Sequence, residues 1–175
     1  MANPTMTLIG SPIVVGSGGA SSVTFSSIPA TYTDLKLVVS ARSSDAGYYD
    51  NAQIYVNGNS TGSNYSVLRL YNLSASVSSD SNASAYYSGA LVGNGATAQT
   101  FSNSEYYFSN YANSTTYKSL SVDSTTENNS SNIFQVLSSW LYKQNTAISS
   151  ITINSFASNT LQQYSTFYLY GISNS

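Results

Sequence analysis

The sequence predicts an all-β fold, a jelly-roll β-sandwich of about 8–11 short antiparallel strands. Three observations carry this. Apolar and polar residues alternate at period two along most of the chain. The strand formers Val, Ile, Thr, Tyr and Phe are common, whereas Leu, Glu, Lys, Arg and Gln are sparse. Turn residues recur at short intervals, with no fixed-period repeat of the kind that marks a propeller or solenoid. The 175 residues make one domain, 1–175, with residues 1–20 as an N-terminal arm or edge strand and enough apolar side chain for a core.

The elements follow in order. Thr5–Ile9 and Pro12–Gly16 read as an opening strand, interrupted at Gly10-Ser11-Pro12 by a bulge or an edge. Gly18-Gly19 marks a turn, and Ser22–Ser27 alternates through Val23 and Phe25. Leu35–Arg42 is a strong strand with Leu35, Leu37, Val39 and Ala41 on one face. Ala52–Asn57 sends Ala52, Ile54 and Val56 inward and ends at the turn dipeptide Asn57-Gly58. Tyr65–Tyr71 is the next strand, and the Ser-rich stretch Asn72–Ala85 reads as a long loop with room for a short strand. Tyr86–Val92, Ser104–Ala112 and Tyr117–Thr125 read as strands. Ile133–Tyr142 is the clearest segment: Phe134, Val136, Ser138, Trp140 and Tyr142 face one way, and Ile133, Gln135, Leu137, Ser139 and Leu141 the other. Trp140 is in phase with Phe134 and Val136, which assigns it to the core. Lys143–Thr146 is expected to close a hairpin back into Ala147–Phe156, and Thr166–Ile172 closes the fold.

Composition excludes most chemistry. The chain has 37 serines and 16 tyrosines but only 7% charged residues, no His and no Cys, against about 25% charged residues in an ordinary soluble domain. Without His there is no standard general base, serine triad or imidazole metal site. Without Cys there is no thiol chemistry, disulfide framework or cysteine zinc site. Gly16-Ser17-Gly18 lacks the third glycine and following helix of a nucleotide motif and reads as a turn. The acids Asp34, Asp45, Asp50, Asp80, Glu105, Asp123 and Glu127 form no recognisable catalytic pair. Asp45 and Asp50, with Asn51, read as a calcium loop or a solvated turn, and lacking ligand spacing they favour the turn. No catalytic residue, cofactor or metal is expected. Net charge is −2, and Lys36, Arg42, Arg69, Lys118 and Lys143 are scattered, so no nucleic-acid footprint forms. No apolar run approaches the ~20 residues of a spanning helix. The first residues have neither the basic start nor the apolar core of a signal peptide, so synthesis in a cytoplasm is expected.

Two features point to partners. Tyr48-Tyr49, Tyr86-Tyr87 and Tyr106-Tyr107, with Tyr111 nearby, place at least one tyrosine of each pair outside a single core. Tyrosine gives contact area with a polar tip at small entropic cost, so these seven are the candidate contact surface for protein or glycan. A wet tyrosine ladder is the plain alternative. Strands so poor in charge also make hazardous free edges, so an oligomer or a docked protein is expected.

The segments Phe25–Ser43 (FSSIPATYTDLKLVVSARS), Ile54–Tyr71 (IYVNGNSTGSNYSVLRLY) and Thr166–Ile172 (TFYLYGI) resemble small jelly-roll virion structural proteins of tailed bacteriophages, cyanophage-like, over residues 20–172. The resemblance implies a non-enzymatic capsid cement or decoration protein on the capsid exterior, made in the bacterial host. It would bridge and stabilise subunits of the major capsid protein, and it would self-assemble as a homotrimer. The family pattern carries no catalytic residue. Similar domains occur in tails, so a tail-fibre or receptor-binding domain recognising host glycans is the alternative. A carbohydrate-binding module is a third reading.

Overall fold

The computed structural model describes residues 5–82, 87–130 and 132–173. Thirteen strands are present among the described residues, and all their pairings are antiparallel. The chain opens with β1 (Met6–Leu8), β2 (Ile13–Val14) and β3 (Val23–Phe25), then β4 (Asp34–Ser40) and β5 (Tyr49–Val56). A hairpin follows, β6 (Tyr65–Leu73) and β7 (Ser76–Asn82), and then β8 (Tyr87–Val92). The meander β9 (Asn103–Phe108), β10 (Lys118–Thr125) and β11 (Phe134–Tyr142) precedes β12 (Ile151–Ser155) and β13 (Thr166–Ile172). The helical content described is two single 3-10 turns, Gly62–Asn64 and Phe156–Ser158.

The larger sheet has the order β1-β13-β4-β9-β10-β11-β6-β7, with β2 also on β13, and the smaller has β3-β12-β5-β8. The chain crosses repeatedly between the two, and an all-β antiparallel sandwich of two sheets is the architecture observed. The core is the space between the sheets. Leu35, Leu37, Tyr106, Phe108, Leu120, Trp140, Phe167 and Leu169 meet Phe25, Ile54, Val56, Leu91, Ile151 and Ile153, all buried. A smaller cluster of Ala90, Phe134 and Val136 packs with Tyr49, Tyr71 and Leu73. Alternation accounts for this directly. β4 is buried at Leu35, Leu37 and Val39, and β11 at every second residue from Phe134 to Tyr142.

The structure corrects three expectations. The strand count exceeds 8–11 because the opening segment splits and a further strand forms. β1 and β2 both lie on β13, but the register slips by two residues between Leu8↔Tyr170 and Ile13↔Phe167. Gly10 sits in that slip at φ +70°, a conformation that favours glycine. The further strand is β7, inside the expected loop Asn72–Ala85. Its serines have little strand preference, but the two-residue turn at Ser74-Ala75, with Ser74 at φ 56°, lays them on β6 in register from Leu73↔Ser76 to Val67↔Asn82. The third correction concerns Lys143–Thr146, which closes no hairpin. Both edges of β11 are taken by β10 and β6, so the chain crosses over and β12 pairs with β3 and β5 in the other sheet. Asn57-Gly58 does turn as expected: both residues have positive φ, 53° and 66°, and the Asn59 N–H donates to the Val56 carbonyl at 3.0 Å.

Candidate interaction surface

The seven tyrosines do not form one surface. Tyr106 and Tyr111 are fully buried and cannot touch a partner. Tyr106 and Tyr107 are neighbours on β9, so period two sends one into the core and the other out. Tyr111 folds back beyond β9, donates its hydroxyl to the Pro29 carbonyl and accepts from the Tyr32 N–H at 3.4 Å. Tyr107 is exposed on the outer face of the larger sheet and donates to Asp34 Oδ2 at 2.6 Å. That hydrogen bond to a carboxylate raises the phenol above its ordinary range. Tyr48 is exposed before β5, whereas Tyr49 is half-buried on the Phe134 ring, centroids 4.7 Å apart. Tyr87 is half-buried under the Arg69 guanidinium, 4.5 Å from ring centroid to Cζ, with Phe156 edge-on at 6.1 Å. Tyr86 lies outside the described residues.

Asp45 and Asp50 are separately engaged. Asp45 Oδ1 accepts the Gly47 N–H at 2.7 Å, a turn as favoured above, and its Oδ2 accepts Asn159 Nδ2 at 3.1 Å. Asp50 is buried, accepting from the Ser155 hydroxyl and from the Asn51 N–H at 2.7 Å. Burial pushes its carboxyl above the usual range. Among the described residues, no three Asp or Glu side chains gather as a metal site would need.

A cluster of exposed apolar side chains lies at the β7 end of the larger sheet. Leu68, Leu70, Val77 and Leu137 point outward from β6, β7 and β11, with exposures of 58, 52, 71 and 49%. Strand register makes them neighbours. Leu70 lies between Leu137 and Ser79, Leu68 between Ser139 and Ser81, and Asn72 between Gln135 and Val77. The result is a shallow apolar depression rimmed by the serines Ser79, Ser121 and Ser139. A cluster of large apolar side chains at this exposure is the usual mark of an interaction site. The signal was present in the sequence. Ile133–Tyr142 is apolar on both faces, and Leu68 and Leu70 alternate against Tyr65 and Val67. A strand apolar on both faces needs a second surface to cover it.

On the opposite face of the same hairpin, Arg69 ties β7 to β6 and to the smaller sheet. Its Nε donates to Asp80 Oδ1 at 2.8 Å and its Nη2 to Oδ2 at 2.5 Å, joining β6 to β7. Its Nη1 donates to Asn51 Oδ1 at 3.0 Å, reaching β5 in the smaller sheet. The bidentate hydrogen bond from Arg69 holds the Asp80 carboxyl below its usual range. The hairpin's charges are thereby neutralised internally, and the face above them is neutral.

No protein-family model matches the chain, and no curated protein matches it. Among solved structures, the crystal structure of Caenorhabditis elegans galectin LEC-6 aligns over 93% of this chain and 96% of that one, with 8% identity and a TM-score of 0.33. A likeness at that level carries no argument about what this chain does.

Proposed function

We propose that the chain is a non-enzymatic structural protein of a tailed-phage virion, a capsid decoration protein that docks on the major capsid protein and stabilises the shell. The carrying observation is the outward patch of Leu68, Leu70, Val77 and Leu137, rimmed by serines, with Asp123 opposite Leu137 as the charge at its border. The sequence resemblance to phage virion proteins supplies the partner. The mechanism is contact alone: a protein that binds only the assembled lattice shifts the equilibrium toward it. The interface is apolar and hydroxyl-rich, so attachment is expected to be nearly independent of salt.

The test combines position and salt response. Electron microscopy of purified particles should place the chain on the capsid exterior at a copy number set by the lattice, and molar NaCl should leave it bound. Leu70→Lys and Leu137→Lys should abolish attachment while the protein still folds. A handful of copies at the tail, or release by moderate salt, would overturn the proposal. A tail position would favour the second reading, a glycan-recognising tail domain. One observation favours that reading. The outer face of the smaller sheet aligns two hydrogen-bonded groups, Thr24 with Thr152 and Gln53 with Tyr55 and Asn154, beside an exposed Phe156.

A further inference from the structure

We propose that β7 pairs antiparallel with β7 of a second copy of this chain, about a twofold axis through Ser79. Among the described residues no strand lies on the far side of β7. Six of its seven residues are exposed, and it has no Pro, no Lys and no register break. These are the devices that normally block pairing at a free edge. Its single charge, Asp80, is already held by Arg69.

The register follows from the turn. With a two-residue connection, Leu73↔Ser76 is the hydrogen-bonded pair next to the turn, and such pairs recur at every second residue. Ser76, Ser78, Asp80 and Asn82 therefore direct their backbone groups to β6, and Val77, Ser79 and Ser81 direct theirs to the open edge. A twofold axis through Ser79 sets Val77 opposite Ser81 of the second copy, Ser79 opposite Ser79 and Ser81 opposite Val77. That arrangement forms about six backbone hydrogen bonds. It also sets Asp80 opposite Ser78, so no like charges face each other directly. On the outer face the two leucine patches come to lie on one continuous sheet. A strand pair this short buries less than the roughly 1,200 Å² of a stable specific interface, so the dimer is concentration-dependent. The symmetry is twofold, not the threefold that the sequence resemblance implies. The pairing does not depend on what the patch docks on, and the isolated protein tests it.

Sedimentation analysis of the full chain across a concentration series should show a monomer–dimer equilibrium. Ser79→Lys and Ser79→Glu each set like charges face to face at the axis and should weaken dimerisation about fivefold or more. An equimolar mixture of the two should dimerise again, which neither a folding defect nor a merely structural role for Ser79 reproduces. Ser79→Cys in this cysteine-free chain should cross-link on oxidation, because Cα atoms across such a pair lie about 5.5 Å apart. Ser121→Cys, away from the edge, should not. A monomer at every concentration up to about 1 mM, a trimer, or a dimer indifferent to Ser79→Lys would overturn the proposal.

Discussion

Asp50 and Asp80 show how far one residue's surroundings set its chemistry in a chain with so few charges. Burial beside Ser155 raises Asp50 above the ordinary 3.8, and the Arg69 hydrogen bond lowers Asp80 below it. The two act on stability in opposite directions. A group raised in the fold contributes stability that is fully present below its unfolded value and is lost as pH rises through the folded one. A group lowered in the fold contributes stability above its unfolded value, lost as pH falls through the folded one. Acidification from pH 7 toward 3.8 should therefore stabilise the wild type relative to Asp50→Asn, and thermal unfolding of both across that range measures it. A difference that stays constant with pH would show that Asp50 is not raised. Arg42, buried like Asp50, has no carboxylate partner among the described residues. Its guanidinium donates to the carbonyls of Asn94, Ala96, Thr97 and Thr100 at 2.9–3.2 Å and so organises the loop between β8 and β9. In the sequence, alternation sets Arg42 on the face opposite Leu35, Leu37, Val39 and Ala41. It showed nothing of this role, because all four acceptors are backbone carbonyls.

At the scale of the element, β8 explains part of the serine content. It is the outer strand of the smaller sheet, yet its edge is closed. Ser138 Oγ donates to the Ser88 carbonyl at 2.9 Å, and the Ala90 N–H donates to Ser124 Oγ at 2.8 Å, with Ser104 Oγ 2.5 Å from Ser124 Oγ. Buried hydroxyls of the facing sheet take the place of a neighbouring strand. They are also small enough to let the β8 backbone approach closely. Gly89 lies directly on the Tyr106 hydroxyl, where any Cβ would overlap it. Gly89→Ala is expected to destabilise by about 1–3 kcal/mol through overpacking, and Tyr106→Phe in the same chain should recover part of that loss. Denaturant unfolding of the four-member cycle reads the coupling, and strict additivity would mean that the two sites do not meet. Much at this scale was legible in the sequence. Alternation assigned the faces of β4, β5 and β11 and the burial of Trp140, because period two records burial residue by residue. The Tyr106–Ser104–Gly89 packing was not legible, since adjacency shows that one tyrosine of the pair faces out but not that it is Tyr107. β7 was not legible either: its serines acquire strand form from the β6 template, not from their own preference.

At the scale of the whole molecule, the mismatch of a nine-stranded sheet with a four-stranded one determines where the fold is weak. The smaller sheet ends at β8, so β7 projects beyond it, exposed at six of its seven residues and with no strand on its far side among the described residues. Strand order is a non-local property, and no local pattern in the sequence shows that β7 lies past the core. The scarcity of charge did show that some edge would be left chemically unprotected. Local stability follows buried apolar contact, and the contrast within one sheet is large. Leu120, Val122, Val136 and Trp140 anchor β10 and β11 in the core, whereas β7 is attached by its β6 ladder and the Arg69–Asp80 pair. Hydrogen exchange on dilute, monomeric protein should separate these layers. The outward amides of Val77, Ser79 and Ser81 should exchange nearly as in an unfolded chain. The amides of Ser78 and Asp80, bonded to β6, should exchange by local opening, a few kcal/mol below the global limit. Amides shared between β10 and β11 should exchange only on global unfolding. Arg69→Gln removes the ion pair across the overhang, so it should accelerate Ser78 and Asp80 and leave β10 unchanged. Equal protection across β7 and β10 would mean that the overhang unfolds with the core, and the account of the projecting hairpin as a separately opening unit would fail.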